Sequence, residues 1–186
     1  IHMGQDSAYN AVWGNYIGTD FTGAAALGNG NGLGIVKAAV NQVGGGAPGA
    51  GNLISGNLGV GVYLDGAGTV FNCLQGNFIG SDVTGRRALG NTDWGIYLNA
   101  ASNAIGGSAL GEGNLISGNN NVGVSINNPA SCGNVLQGNL IGTQADGVSP
   151  MGNLWHGVQI QYGASGNIVG GTAPGAGNRI AAARTA

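Results

Sequence analysis

The chain has 186 residues, 41 of them glycine, with 42% hydrophobic and only 6% charged residues and a formal net charge of −2. Disorder is excluded because it needs low hydrophobicity with high net charge, and collagen because no Gly-X-Y register is present. The charge leaves no basic footprint for nucleic acid, and no apolar run is long enough to insert in a membrane.

In chain order, residues 1–9 read as a lead-in, of which Ile1-His2-Met3 resembles the remnant of an expression vector; any natural secretory leader is expected to have been removed. From residue 10 the chain repeats. Asn10-Ala11-Val12-Trp13-Gly14-Asn15-Tyr16-Ile17-Gly18 returns at 72–80 and 134–142, two intervals of 62 residues (10 to 72 and 72 to 134). Asn52-Leu53-Ile54-Ser55-Gly56-Asn57 returns unchanged at 114–119, and a weaker copy opens at Asn178-Arg179-Ile180. A fixed period means stacked units and not a conventional core.

Each module divides in two, marked by Gly34-Ile35, Gly61-Val62, Gly95-Ile96, Gly123-Val124 and Gly157-Val158, 27 to 34 residues apart. Three short apolar segments with period-two alternation fill each half, separated by Gly/Asn turns. They are too short for helices and read as strands. The uneven lengths are absorbed by a Gly-rich insert (46–51, 108–113, 172–177) and a longer segment (19–29, 81–91, 143–153). The expectation is an all-β solenoid, three strands per coil, each strand pairing in parallel with its counterpart one coil away. It forms one domain over 10–180, with about five to six coils and a height of about 25 to 30 Å. Residues 181–186 are a tail or cap.

Alternation assigns the faces. In the first strand of each coil Val62/Leu64, Ile96/Leu98, Val124/Ile126 and Val158/Ile160 point inward, in the second Val43, Leu74, Ile105, Leu136 and Val169, and in the third Ile17, Ile54, Ile79, Ile116, Ile141 and Ile180. A slip of one residue would expose the whole set. The recurring Asn15, Asn52, Asn77, Asn114, Asn139 and Asn178 fall at turns, where stacked amides form ladders along the coil axis. Ile35-Val36-Lys37 disturbs the pattern by placing a lysine among inward positions or forcing a register change. The outward row of the third strand (Tyr16, Leu53, Phe78, Leu115, Leu140, Arg179) is an apolar stripe, which the long segments are expected to cover with Leu27, Leu89 and Met151. Cys73 and Cys132 are placed in equivalent halves of neighbouring modules, too far apart for a disulfide, and are read as free thiols.

Asn52-Leu53-Ile54-Ser55-Gly56-Asn57, the Gly14-Asn15-Tyr16-Ile17-Gly18-Thr19-Asp20-Phe21-Thr22-Gly23 stretch and Gly170-Gly171-Thr172-Ala173-Pro174-Gly175-Ala176-Gly177-Asn178 resemble right-handed parallel β-helix repeats of bacterial secreted and surface proteins. The resemblance covers nearly the whole chain from 10 to 180. It implies the pectate-lyase-like superfold and a secreted or cell-surface location. It is weak for activity, because lyases, hydrolases, epimerases, tailspikes and adhesins share the scaffold.

Catalytic β-helices that resemble this one work on the outer face of one sheet. Here that row reads Val36, Tyr63, Tyr97, Ser125, Gln159, flanked by Asp65, Asn99, Asn127 and Gln161, with Trp94, Trp155 and His156 at the strand entrance. Aromatic rings cover apolar sugar faces and amides match hydroxyls, so Tyr63, Tyr97, Asp65, Asn99, Asn127, Gln159, Gln161, Trp94, His156 and Arg86 are the candidate ligand-binding residues. Arg86 and Arg87 replace Ala24/Ala25 and Val148/Ser149 of the other modules and suit an acidic sugar. No pair of carboxylates spaced for glycoside hydrolysis is evident, the acids are too dispersed for calcium, and no catalytic residue, metal or cofactor is assigned. The reading is a non-catalytic structural or carbohydrate-contacting module of a larger protein. The alternative is a polysaccharide lyase or hydrolase acting on uronic-acid glycans. Polysaccharide is the expected partner, nucleic acid is not, and self-association end to end or side by side is the further expectation.

Overall fold

The computed structural model describes residues 1–181, so the expected tail or cap over 181–186 lies, past its first residue, outside the described residues. It is a parallel β-helix of three six-stranded sheets with every strand pair parallel. The first sheet stacks His2–Met3, Leu33–Val36, Val62–Asp65, Ile96–Asn99, Val124–Asn127 and Val158–Gln161 in that order. The second stacks Ala11–Val12, Gln42–Gly44, Cys73–Gln75, Ala104–Gly106, Val135–Gln137 and Ile168–Val169. The third stacks Tyr16–Ile17, Leu53–Ile54, Phe78–Ile79, Leu115–Ile116, Leu140–Ile141 and Arg179–Ile180. The lead-in joins the first coil, since His2 and Met3 pair with Gly34 and Ile35. Among the described residues no helix is long and apolar enough to cross a membrane.

The aliphatic columns lie inside as the alternation requires. Leu64, Leu98 and Ile126 are consecutive register partners in the first sheet, Leu74, Ile105 and Leu136 in the second, and Ile54, Ile79, Ile116 and Ile141 in the third. All are fully buried. Each such side chain stabilises the coil by roughly 1.5 to 3 kcal/mol through burial, so the columns supply the main driving force. The last coil is different: Ile160, Val169 and Ile180 are 45%, 41% and 48% exposed.

Leu33, not Gly34, is the register partner of Val62, and Val36 pairs with Asp65. The expected outward row is therefore corrected: Gly34, and not Val36, stands beside Tyr63. The module mark in this coil is Gly32, two residues earlier than the one read from the sequence. Lys37 causes no conflict, because the strand ends before it. It turns outward with φ 52° and is exposed. Gly32, Gly61, Gly95 and Gly123 recur for a packing reason. A Cβ on any of them would sit 2.5 to 2.7 Å from the carbonyl oxygen of the next coil's glycine.

The asparagine ladder forms, and it is one of three, one at each corner of the coil. Asn15, Asn52, Asn77, Asn114, Asn139 and Asn178 make the expected one. Asn10, Asn41, Asn72, Asn103, Asn134 and Asn167 make a second, and Asn29, Asn57, Asn91, Asn119 and Asn153 a third. Neither of these was expected. In each, Nδ2 and the backbone N–H of one asparagine donate to Oδ1 of the asparagine one coil later, as in Asn52 to Asn77 at 2.9 and 3.0 Å. The second Nδ2 hydrogen goes back to a strand carbonyl of the previous coil, Val43 in the case of Asn77. Buried amides are tolerated because their polar atoms are paired in this way.

The stripe on the third sheet is covered only in part: Tyr16 stays 47% exposed and Phe78 and Leu140 are half-buried. Leu53 and Leu115 are buried, and the loop glycines Gly23, Gly85 and Gly147 come close enough that a Cβ on Gly23 or Gly85 would strike Leu53 or Leu115, and one on Gly147 would crowd Leu140. Successive long loops join through Val83 N–H to Gly23 O and Ala145 N–H to Gly85 O. Of the three expected lids Met151 is buried, Leu89 is half-buried and Leu27 is 68% exposed. Asp20 and Asp82 close the first two loops by accepting backbone N–H bonds and a threonine hydroxyl. In the third loop, where Gln144 stands at that place, Asp146 takes over with Val148 and Ser149.

Candidate functional site

The outer face of the first sheet holds a groove of about 410 Å³ lined by Asn31, Val60, Tyr63, Asp65, Trp94, Tyr97 and Asn99. Strand pairing sets Tyr63 against Tyr97 and Asp65 against Asn99. Gly34 decides the posture of Tyr63. A Cβ there would overlap the Tyr63 ring, so the ring lies across the glycine, toward the preceding coils. Its hydroxyl reaches His2 Nδ1 at 3.2 Å. Trp94 packs on Tyr97 with ring centroids 4.9 Å apart and planes inclined by 52°. The aromatic floor thus spans adjacent coils, with amides along one side.

Those amides form a chain. Asn99 Nδ2 donates to Asp65 Oδ1, and Asn128 Nδ2 donates to Asn99 Oδ1. Farther along the stack Gln161 donates to Asn127, and Gln159 to Gln161. Asn127 and Ser125 bond to each other and are buried, so the outward row does not continue as an exposed surface through that coil. Ser125 is small and stands in register between Tyr97 and Gln159.

The remaining candidates are elsewhere. His156 occupies the place equivalent to Trp94, but two coils on, with buried Val122 in the intervening layer. Arg86 is exposed on the long loop beyond the third sheet, where its charge acts on Asp146, and it is not part of the groove lining. Arg87 pairs with Asp82 at 3.1 Å. Asp93 accepts from Asn121. Asp65, Asp93, Arg86 and His156 are therefore not joined in one cleft. Cys132 is not equivalent to Cys73: the register partners in that column are Cys73, Ala104 and Val135. Both thiols are free, Cys132 exposed and Cys73 half-buried, and burial followed by the Glu112 charge pushes the Cys73 thiol up. Among the described residues no three His, Cys, Asp or Glu side chains converge on a point.

The three loop aspartates have lowered pKa values for local reasons. The Thr22 hydroxyl and then the Ala25 N–H hold Asp20 down, and the Ser149 hydroxyl and the Val148 N–H do so for Asp146. For Asp82 burial raises the value, but the Thr84 hydroxyl, the Arg87 backbone and guanidinium and the Arg86 N–H together outweigh it. These carboxylates are structural.

A larger recess of about 580 Å³ lies at the corner between the second and third sheets, bounded by the Gly-rich insert 46–51 and by Tyr16, Leu53, Phe78 and Val83. Its lining has no charged side chain, and the amide of its Asn52 is already used in a ladder. It has little with which to orient a ligand. No protein-family model, curated protein or solved structure matches this chain. Of the residues that line this groove, the sequence points to Tyr63, Tyr97, Asp65, Asn99 and Trp94. It missed Gly34, Asn31, Val60 and Asn128, which only the register brings to the same face.

Proposed function

We propose that this chain is a non-catalytic β-helix module of a secreted or surface protein that contacts polysaccharide along the groove of its first sheet. The observation that carries this reading is the Tyr63 ring laid over Gly34, beside the Trp94–Tyr97 pair and the Asp65–Asn99–Asn128 chain of amides. A ring laid along the sheet suits the apolar face of a pyranose, and the amides suit its hydroxyls. Asp65 is the one charged side chain in the lining, which favours a neutral glycan over a uronate. The lyase or hydrolase reading draws no support from the groove, whose lining contains Asp65 and no second carboxylate.

A glycan array tests this with three proteins: the parent chain, a Tyr63→Ala/Tyr97→Ala double variant and Gly34→Ala. The parent should retain a neutral polysaccharide, and the double variant should bind at least about tenfold more weakly, the loss of roughly 1.4 kcal/mol. Gly34→Ala should weaken binding with little change in stability, because the tyrosine ring can swing away from the new methyl group. A parent chain that binds no glycan, or a double variant that binds as the parent does, would overturn the reading.

A further inference from the structure

One group in the groove has no counterpart of its own kind. Asp65 is half-buried and is the only charged side chain in the lining, yet no cation pairs with it. Among the described residues the one ion pair joins Arg87 to Asp82. Asp65 Oδ1 accepts from Asn99, which accepts in turn from Asn128, so a chain of amides holds the carboxylate in place. Asp65 Oδ2 meets no donor among the described residues. The nearest basic side chains are directed elsewhere. His2 stands at the Tyr63 hydroxyl, and Lys37 is exposed and runs past Gly66 without an ion pair to Asp65.

Aromatic faces surround this carboxylate. Tyr63 and Asp65 share one face of their strand, about 6.6 Å apart, and their register partners Tyr97 and Asn99 lie about 4.8 Å away across the sheet. Tyr63 leans over Gly34 toward the preceding coil, while Tyr97 is propped by Trp94. Three rings and one carboxylate therefore border a single recess. The faces of such rings attract a cation within about 6 Å, and the attraction grows as water is excluded. Rings alone suit any pyranose, whereas rings beside an unpaired carboxylate suit one that carries positive charge. We infer that the groove recognises an amino sugar with a free ammonium group, held between the Asp65 carboxylate and the Tyr63, Trp94 and Tyr97 rings while the pyranose lies along the sheet. The inference rests on the glycan reading of this groove and adds the substituent that the glycan bears. A polysaccharide that is neutral along most of its length and lacks its acetyl groups at intervals satisfies both.

Isothermal titration calorimetry tests this on the parent chain and on Asp65→Asn, with two probes. One is a neutral hexamer of N-acetylglucosamine, and the other is the same hexamer with its acetyl groups removed. A pH of about 6 lies above the ordinary carboxylate range and below that of an amine, and salt of about 20 mM leaves surface charges weakly screened. The parent should bind the amino hexamer at least about tenfold more tightly than the acetylated one. In Asp65→Asn that ratio should fall to near one, whatever happens to the two affinities together, and circular dichroism checks that the variant is folded. A lysine hexamer, with ammonium groups and no pyranose rings, should bind the parent more weakly than the amino hexamer does. A parent that binds both sugars equally overturns the inference and leaves a neutral-glycan site; a parent that binds neither overturns both readings. A preference that survives in Asp65→Asn, or a lysine hexamer that binds as tightly as the amino sugar, also overturns the inference, because the attraction then does not come from this groove.

Discussion

Replacing Asn77 by alanine should cost this small protein a large share of its stability, and the geometry gives the size of the loss. The side chain is fully buried in the middle of its ladder. Its Oδ1 accepts from the backbone and side chain of Asn52, and its Nδ2 donates to Val43 O and Asn114 Oδ1 at 2.9 Å each. Truncation takes the Asn77 partner from three groups in the interior at once, Asn52 N–H, Asn52 Nδ2 and Val43 O, while the Asn77 N–H still serves Asn114 Oδ1. A buried polar group left unmade costs about 1 to 3 kcal/mol, so the low end of that range already gives about 3 kcal/mol. Total stabilities of domains are only about 5 to 15 kcal/mol. Asn15→Ala, at the end of the same ladder, removes only the Nδ2 bonds to Asn52 and Trp13, and the Asn15 N–H still serves Asn52. It should cost about 1 kcal/mol. Urea unfolding followed by far-ultraviolet circular dichroism measures both, and the comparison does not depend on strict two-state behaviour. If Asn77→Ala costs no more than Asn15→Ala, the amides are not satisfying one another along the stack, and the account of why they are buried fails.

Two further predictions rest on backbone and loop chemistry. Val40 holds φ 57° and Phe71 φ 56°, in the left-handed region that is costly for L-residues and worst for a β-branched one. Val40→Gly should therefore raise stability by about 0.5 to 1 kcal/mol in urea unfolding, whereas Gly133→Ala, at φ 65° in the equivalent place, should lower it. Asp82 has a folded-state pKa below its ordinary value, so it contributes stability above the ordinary carboxylate range and loses it as pH falls through the folded value. The melting temperature should accordingly drop on going from about pH 5 to about pH 2, and Asp82→Asn should be less stable near neutrality and show a shallower drop.

Much of the fold was readable in the chain because the signal is local. Alternation within a four-residue strand such as Val62–Asp65 needs no knowledge of its neighbours. The 62-residue period exposed the stacking, and the turn asparagines of one ladder stood out as repeated letters. The other two ladders are equally repeated, but Asn72 and Asn134 open a motif that reads as a strand, and Asn57 and Asn119 close one whose opening asparagine alone reads as the turn residue. The misplacement of Val36 arose where coil length changes: the mark was taken from the wrong glycine, and a shift of two residues leaves the alternation intact and so goes unnoticed.

The sequence alone determined the class of structure, its period and which side chains face inward, because those follow from strand geometry within a few residues. Only the tertiary structure decided which outward side chains meet. Asn99 finds Asp65 across 34 residues, and Tyr63 lies over Gly34 because the neighbouring coil has no side chain there. Loop length sets the register between coils, and the bulk of the next side chain along the stack sets each ring's posture. Neither is a property of any one strand.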